Sequence, residues 1–328
     1  MEAQTQFDDG SGPLLDGDGR EVWDASKLQA YLDCEELGHL KYEEHLTGKT
    51  PSEAIAFGSG FHKAAEVWTQ HRIAWPTRDA EAVSYAEAAF VEVWEAELPK
   101  EQRDMLELGL NRRSVTNFKR LFAGYRKKFP LEMYDEVVSV EQPFTLLLGT
   151  TPEGREIWWS GISDRNVRWQ GGLYYIDLKT STYALDAAFF DKWKLSTQML
   201  GYTWAGQQLV SEPFAGVMVQ GIQVQAPLKT KTRAADELVQ GEVIAFTQDQ
   251  IEGWKRNTLA KIDSIHRARK VGYYIKNLST RCSSYGNCSM AMLCNAGDQA
   301  QAEFRKEQYY IKRVWNPLDR AAAATEAA

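Results

Sequence analysis

The feature that most constrains the fold of this chain is a pair of alternating polar and apolar runs separated by two glycines. Residues 161–182 read GISDRNVRWQGGLYYIDLKTST. Tight two-residue hairpin turns need positive φ angles, so the Gly171-Gly172 pair predicts a hairpin with its turn at these two residues. That turn pairs Gln170 with Leu173 and fixes the register of both strands outward from it.

The predicted register brings charged side chains together on one face of the hairpin. Asp164 lies opposite Lys179, and Asp177 points to the same face because it is two residues from Lys179. The diagonal between the two aspartates is roughly 7–8 Å, a distance that one shared ion can bridge. The alternative is a cross-strand ion pair on a solvent-exposed sheet face, which would explain the same residues without an ion-binding site. Arg165 falls on the apolar side, so the register could slip near the strand end. The predicted polar face consists of Asp164, Asn166, Tyr175, Asp177 and Lys179, and the predicted apolar face of Val167, Trp169, Tyr174, Ile176 and Leu178.

The composition is that of an ordinary soluble globular protein, with 44% hydrophobic and 25% charged residues among 328. The net charge of −7 excludes a globally basic nucleic-acid coat, so any polyanion has to bind through local patches or metal ions. No apolar run approaches the ~20 residues that span a membrane. The N-terminal segment lacks the pattern of a signal peptide. We therefore expect a cytoplasmic protein with no membrane partner.

We expect one folded domain between two disordered ends, because no internal repeat or clear linker divides the chain. Within it, the core is predicted at about 137–225, and a cysteine-rich lobe at about 271–296 is joined by Cys34. The predicted boundaries are an acidic, glycine-rich arm at 1–20, a single domain at 21–316 and a tail at 317–328.

Hydrophobic periodicity predicts an α/β chain in which three strands, a helix and a further strand lie between helical flanks. The clearest helical pattern is at 111–129, where Phe118, Phe122 and Tyr125 recur at intervals of three and four residues. Helices are predicted at 24–46, 58–72, 79–97, 111–129, 189–210 and 248–270, and strands at 137–148, 156–169, 173–181 and 214–225.

The four cysteines suggest a thiolate metal site. Cys282, Cys288 and Cys294 follow the spacing C-x5-C-x5-C, while Cys34 lies 248 positions before Cys282. Disulfides are rare in a reducing compartment, so clustered cysteines there point to metal binding. A site shared by all four would clasp the two ends of the fold together.

Four short motifs together resemble the PD-(D/E)XK nuclease superfamily. GISD at 161–164 is similar to its G-x-x-D motif, and DLK at 177–179 is similar to its (D/E)-x-K motif. Gln198-x-x-x-Tyr202 resembles the QxxxY signature of the RecB-like branch, and GSGFHKAAE resembles the upstream histidine motif of that branch, with His62 as the histidine. The resemblance covers residues 24–296. It implies a restriction-endonuclease-like core, with a central mixed sheet flanked by helices and helical N- and C-terminal extensions clasped by the four-cysteine site.

The resemblance also implies a Mg²⁺ or Mn²⁺ site. Asp164 and Asp177 would supply carboxylates, and the backbone carbonyl of Leu178 would add a further oxygen, the donor type that these hard cations prefer. His62 would be a nitrogen ligand, which favours Mn²⁺ without excluding Mg²⁺. A lone histidine near a helix start is otherwise more often structural.

Other site residues are implied in supporting roles. Lys179 would orient or deprotonate the attacking water, or stabilise the charged transition state. Gln198 and Tyr202 share a helix face that would support the active site and touch nucleic acid; alternatively, Tyr202 lines the core beside an incidental glutamine. Glu141, on the first strand, would lie near the metal ligands. The equal alternative is that Glu141 is a solvated strand residue.

Iron–sulfur members of the superfamily share one N-terminal and three C-terminal cysteines. The chain resembles AddB-type nucleases and CRISPR-associated four-cysteine exonucleases in this respect, which implies a structural [4Fe–4S] cluster on Cys34, Cys282, Cys288 and Cys294. The usual spacing is C-x2-C-x5-C, and this chain departs from it in the first gap. A structural zinc site is the alternative, although its short C-x2–4-C knuckles fit these gaps poorly.

The leading functional prediction is a metal-dependent deoxyribonuclease, expected to be an exonuclease acting on single strands or duplex ends. It would serve recombination, repair or DNA-end processing in a bacterium or phage. No GxxxxGK[ST] motif is present, so unwinding would need a helicase or recombination partner. The basic sides of helices 111–129 and 248–270 could follow a phosphate backbone, or they are simply solvated faces. The alternatives are a catalytically silent DNA-binding or scaffolding module on the same fold and an endonuclease that recognises structure or sequence.

Overall fold

The computed structural model of the chain describes residues 19–108, 111–226, 233–283 and 288–315. Residues 1–18 of the predicted arm and the predicted tail at 317–328 lie outside the described residues.

The chain divides into two compact units, and each is built from separate segments. The first unit contains the residues up to Thr50, Pro143–Gly161 and the residues from Gln248 onward. The second unit contains Pro51–Gln142 and Ile162–Thr247. The predicted domain boundaries at 21 and 316 stay a prediction.

The second unit is built on a mixed sheet, as the sequence predicts. Its strand order is β4-β5-β6-β7, with β3 also paired to β4. The pair β5–β6 is parallel, whereas β4–β5 and β6–β7 are antiparallel. The strands are β3 (Glu136–Thr150), β4 (Glu156–Trp169), β5 (Gly172–Ser181), β6 (Phe214–Gln223) and β7 (Val239–Ile244). Of these, β3 from Pro143 onward and β4 up to Gly161 belong to the first unit.

Helices cover this sheet around an aromatic core. Phe90 and Phe118 stack with ring centroids 3.7 Å apart, and both side chains are fully buried. Burying a phenylalanine side chain stabilises a fold by about 1.5–3 kcal/mol, so the aromatic stripe predicted at 111–129 is a large part of what holds the helices on the sheet. The helices of this unit are α3 (Glu53–Ala74), α4 (Asp79–Glu97), α5 (Lys100–Glu107), α6 (Val115–Lys128), α7 (Ala187–Asp191) and α8 (Thr197–Leu209).

The predicted helix at 189–210 is not continuous. The chain forms α7, then a 3-10 turn over Lys192–Leu195, and restarts as α8. Ser196 causes the restart: its backbone is extended, and its hydroxyl accepts a hydrogen bond from the backbone N–H of Gln198. Such an N-cap satisfies one of the free donors in the first helical turn.

The hairpin forms as predicted, but its turn is one residue earlier. Gln170 and Gly171 have φ angles of 49° and 78°, the two positive values that a type I′ turn requires. Trp169 therefore pairs with Gly172, and the predicted pairing of Gln170 with Leu173 is wrong. Gly172 lies in β5, where an added Cβ would be 2.7 Å from the Cβ of Ala215. The second glycine is thus needed for close packing rather than for the turn.

The first unit joins residues from both ends of the described chain. Strand β1 (Glu21–Trp23) pairs in parallel with the first residues of β4, and β2 (Leu46–Gly48) pairs antiparallel with β8 (Tyr310–Lys312). The helices of this unit are α1 (Ala25–Asp33), α2 (Glu35–Tyr42), α9 (Gln248–Val271), α10 (Ala291–Cys294) and α11 (Gln299–Tyr309).

The predicted helix at 24–46 is broken at Cys34. The backbone of Cys34 is extended, with φ −169° and ψ 126°, so this residue ends α1 and begins α2. The carboxylate of Asp24 caps α1 by accepting a hydrogen bond from the backbone N–H of Lys27.

A buried charge network links β1 and α2 to α9 within this unit. His266 Nε2 lies 2.7 Å from Glu21, and Arg269 donates to Glu43 at 2.8 Å. Glu43 also accepts a hydrogen bond from the Tyr31 hydroxyl. Buried charges are tolerated only when paired and hydrogen-bonded, so these contacts fix the N-terminal segment against α9.

Across the residues that the structure describes, no helix is both long and apolar enough to cross a bilayer.

Candidate active site

The two aspartates and the lysine of the hairpin lie together in the second unit. The observed register ends with Arg165 opposite Ile176, and one further pair would set Asp164 opposite Asp177 instead of Lys179. The predicted partner is therefore wrong by two residues. Because side chains alternate with a period of two, this shift leaves every residue on its predicted face. The predicted polar face therefore survives.

Asp164 is held by contacts to both of its carboxylate oxygens. Oδ2 accepts a hydrogen bond from the backbone N–H of Leu178 at 2.7 Å, and Oδ1 lies 3.1 Å from Nδ1 of His62. His62 comes from α3, whose start is capped by the hydroxyl of Ser52. The predicted site thus brings together residues 102 positions apart in sequence.

Asp177 is more deeply buried than Asp164, with a side chain only 3% exposed. Its Oδ1 accepts hydrogen bonds from Lys179 Nζ and from Gln198 Nε2, both at 3.0 Å. The amide of Gln198 also reaches the hydroxyl of Tyr202 at 3.1 Å, and that hydroxyl donates to the carbonyl of Ile162 at 2.7 Å. Gln198 and Tyr202 therefore tie α8 to both acid-bearing strands.

The pKa values of the two carboxylates are shifted in opposite directions. Burial raises the pKa of Asp177, and the nearby charge of Asp164 raises it further against the attraction of Lys179. Burial acts in the same sense on Asp164, but His62 and Lys179 outweigh it, so the pKa of Asp164 lies below its usual value. The pKa of His62 is raised, because Asp164 outweighs the effect of burial. The site therefore favours one firmly ionised carboxylate beside one that binds a proton more readily.

The donor types at this site fit a divalent cation. Two carboxylates, an imidazole and the peptide of Leu178 lie together, and oxygen donors are what Mg²⁺ prefers. Asp177 Oδ2 is buried and accepts no hydrogen bond from the described residues, although Lys179 Nζ is 2.9 Å away. Over the same described ranges, no three His, Cys, Asp or Glu side chains are gathered around one point as metal ligands. The acids instead contact His62 and Lys179.

A small pocket lies beside the carboxylate of Asp164. Glu141 lies on its wall, and the φ angle of this residue is 49°, in the left-handed region. Such strain in a non-glycine residue is concentrated at functional sites. The pocket is lined by His62, Ala65, Glu66, Tyr125, Glu141, Asp164, Arg165, Ile176 and Leu178.

The family follows from comparison with known proteins. A family model of the PD-(D/E)XK nuclease superfamily matches residues 23–295. The chain belongs to the PD-(D/E)XK nuclease superfamily. Members of this superfamily are typically nucleases that use divalent metal ions. The predicted fold class, a mixed α/β core with helices flanking a central mixed sheet, is confirmed.

Two further comparisons add little to this superfamily assignment. Among solved structures, the chain is similar to one titled "Crystal structure of SSO0001", with 12% sequence identity and a TM-score of 0.29. The match covers 73% of this chain and 86% of that one, but at this TM-score it carries no argument. A search of curated proteins found no match.

The four cysteines of this superfamily member lie in the first unit as free thiols, each partly exposed. Cys34 and Cys288 pack against the same apolar cluster, and the backbone N–H of Cys288 donates to the carbonyl of Cys282 at 2.9 Å. Burial raises the pKa of the Cys294 thiol, and Cys288 and Cys34 add to that effect. These cysteines are not gathered as metal ligands in the described part of the chain, so the predicted cluster stays a prediction.

The basic side of α6 is largely neutralised by acids of the protein itself, which favours the alternative of a solvated face. Helix α9 has the same character. Lys229 and Lys231, two further basic residues, lie outside the described residues. The ion pairs are Lys119–Glu87, Arg126–Asp79 and Lys127–Asp236 for α6, Arg113–Glu53 just before α6, and Lys261–Glu35, Arg267–Asp263, Arg269–Glu43 and Lys270–Glu153 for α9.

Three residues at or beside the site were not predicted from the sequence. Glu66 lines the pocket one helical turn after His62, a spacing that could have drawn attention to it. Arg165 is only 3% exposed and donates to the hydroxyl of Thr69 at 2.6 Å, so its place on the apolar side reflects burial and not a slip of register. Trp193 contacts Lys179 through its ring, and nothing in the sequence indicated this contact.

Proposed function

We propose that this chain is a metal-dependent nuclease that hydrolyses phosphodiester bonds in DNA. One observation carries the proposal: Asp164, Asp177 and Lys179 share a sheet face, and both carboxylates are held by side chains from helices. A merely structural ion pair needs neither the buried second acid nor the histidine. Membership of the superfamily supports the same activity.

The residues divide the chemistry between them. Asp164, Asp177, His62 and the carbonyl of Leu178 would hold Mg²⁺ or Mn²⁺, which, when bound, neutralises charge on the phosphodiester group. Lys179 lies 3.0 Å from Asp177, in a position to orient or deprotonate the attacking water or to stabilise the charged transition state.

Gln198 and Tyr202 hold Asp177 and the strand of Asp164 in place. Glu141 would hydrogen-bond to the residues that hold the ion rather than hold it itself. The left-handed backbone of Glu141 and its position in the same pocket support this role.

We further propose that the enzyme is an exonuclease of the RecB-like branch. The Gln198–Tyr202 pair and the histidine on α3 support this assignment, since both motifs contact the acids directly. The substrate would be single-stranded DNA or duplex ends, in recombination, repair or end processing in a bacterium or phage. A helicase or recombination partner would supply unwinding.

The test compares end-labelled linear DNA with closed circular DNA, with Mg²⁺ or Mn²⁺ and with chelator. An exonuclease degrades the linear substrate and spares the circle, whereas an endonuclease cuts both. Lys179→Ala should abolish cleavage, and Lys194→Ala is the matched control because Lys194 is already paired with Asp191 and Glu242. Equal cleavage by wild type and Lys179→Ala would refute the catalytic assignment. A protein that binds both substrates and cleaves neither would be a silent DNA-binding module.

We also propose that Cys34, Cys282, Cys288 and Cys294 hold a structural [4Fe–4S] cluster. Support comes from the apolar cluster against which both Cys34 and Cys288 pack. It comes also from the hydrogen bond between the backbones of Cys288 and Cys282. Such a cluster would clasp residues more than 240 positions apart and stabilise the first unit. Anaerobically purified protein should be brown and contain iron and sulfide. A colourless protein containing zinc would reject the cluster and leave the zinc alternative.

A further inference from the structure

Next to the proposed active site, one tryptophan ring carries two lysine ammonium groups. Lys179 Nζ lies 5.1 Å from the ring centroid of Trp193, and Lys192 Nζ lies 4.7 Å from it. Lys192 Nζ also lies 4.2 Å from the ring of Phe189. Cations are attracted to the faces of aromatic rings, so Trp193 sets the separation of the two ammonium groups, which are within about 10 Å of each other.

Lys192 differs from its neighbour Lys194 in how its charge is balanced. Lys194 forms ion pairs with Asp191 at 2.8 Å and with Glu242 at 3.0 Å. Within the described ranges, Lys192 forms no ion pair with a carboxylate, although it is exposed. The structure therefore keeps this one ammonium over aromatic rings and away from acids.

The surroundings of Lys192 favour the arrival of an anion. Burial and the charge of Lys179 lower the pKa of Lys192. The two ammonium groups repel each other, and only Lys179 has a carboxylate beside it. An anion bound near Lys192 would relieve this repulsion, because opposite charges within a few ångströms favour the charged form of a lysine.

We propose that Lys192 binds a backbone phosphate of the substrate strand, adjacent to the phosphate that Lys179 faces, and that Trp193 is the positioning residue that spaces the two ammonium groups. The ligand class is a nucleic-acid strand, in which phosphates repeat at a regular spacing that two fixed cations can match. This inference rests on the proposed function, because it takes the face of Lys179 as the site of reaction.

Trp193 acts here through the face of its ring. Its indole N–H is buried and donates to no described residue, so the protein itself uses only the aromatic surface. Replacement by phenylalanine keeps a ring face and loses no hydrogen bond that the described residues make. Replacement by alanine removes the ring that the two ammonium groups share and leaves Lys192 only the ring of Phe189.

The test is the salt dependence of binding to a fluorescein-labelled single-stranded DNA oligonucleotide, measured by anisotropy with Ca²⁺ in place of Mg²⁺. Each phosphate contact to a single strand contributes about 0.7 to the slope of log K against log salt concentration. Lys192→Ala should lower the magnitude of the slope by about 0.7, which corresponds to roughly fivefold weaker binding at 0.1 M salt if the lines meet at 1 M. Lys194→Ala should leave the slope unchanged.

Trp193 is tested by rescue and by non-additivity. Trp193→Phe should keep the wild-type slope, whereas Trp193→Ala should lower it as Lys192→Ala does. The double variant should lose no more than either single variant, because both changes remove the same phosphate contact. Equal thermal midpoints among the variants would show that the differences do not come from unfolding.

The outcomes separate this inference from the proposed function. An unchanged slope in Lys192→Ala, an equal loss in Lys194→Ala, or no binding of the oligonucleotide by wild type would overturn the inference. If metal-dependent cleavage requires Lys179 but the slope does not change, the nuclease proposal stands and the inference fails. If the slope falls but no DNA is cleaved, the phosphate contact stands and the nuclease proposal fails.

Discussion

Replacing Gln198 with alanine removes a side-chain amide that connects α8 to the buried acid Asp177. Gln198 Nε2 donates to Asp177 Oδ1 at 3.0 Å and also lies 3.1 Å from the hydroxyl of Tyr202. A hydrogen bond to a charged group contributes about 1.5–3 kcal/mol. If that contribution holds Asp177 in its reactive orientation, Gln198→Ala should slow cleavage by roughly 10- to 150-fold.

The assay is single-turnover cleavage of end-labelled DNA at saturating enzyme and metal ion, so that the rate reports chemistry rather than binding. Gln208→Ala is the matched control, since Gln208 lies on the same helix with an exposed side chain. Tyr202→Phe removes only the hydroxyl that donates to the carbonyl of Ile162 and should give a smaller loss. A rate for Gln198→Ala within threefold of wild type, or an equal loss in Gln208→Ala, would refute the reasoning.

Further predictions concern stability. The pKa of His39 is raised to about 9 because the neighbouring carboxylates of Glu43 and Glu44 outweigh burial, so its contribution is present below pH 6.5 and lost as the pH rises through 9. Burial raises the pKa of Glu21, but His266 and Arg269 lower it to about 2, so its contribution is lost as the pH falls from 4.5 through 2. Urea unfolding from pH 2 to 10 should therefore show greatest stability between pH 4.5 and 6.5, and His39→Gln should flatten the alkaline side; a midpoint that does not vary with pH would contradict this. Gly124→Ala should destabilise the fold by about 1–3 kcal/mol, because an added Cβ would lie 2.4 Å from the backbone of Ala235. Gly253→Ala, in an open part of a helix, should stabilise it by about 1 kcal/mol, and thermal unfolding compares the two.

The hairpin illustrates how far the sequence determines the site. Period-two alternation correctly assigns the faces of Asp164, Asp177 and Lys179, because an error of two residues in register preserves every face. The predicted position of the turn is wrong by one residue. The residue that adopts the positive φ angle is not the residue whose lack of a side chain is needed for packing. Gln170 adopts the strained φ angle, while Gly172 is required by contact with Ala215 on another strand.

The parts of the site that the sequence did not predict depend on long-range packing. A buried arginine at position 165 can be recognised only when Thr69, Tyr125 and Trp68 are known to surround it. The contact of Trp193 with Lys179 depends on the 3-10 turn between α7 and α8, which interrupts the helical pattern used for prediction. Whether a lysine is free to bind phosphate likewise depends on acids that periodicity cannot locate.

The charge network of the first unit bears on how the protein emerges from the ribosome. Glu21 is synthesised 245 residues before His266, which at 5–20 residues per second is on the order of tens of seconds. Throughout that interval the nascent β1 lacks His266 and Arg269, the α9 residues that contact Glu21, whereas the segments of the second unit are complete as soon as residue 247 has been translated. The order of synthesis therefore favours formation of the β5–β6–β7 part of the sheet first, and the N-terminal segment docks only when α9 leaves the exit tunnel.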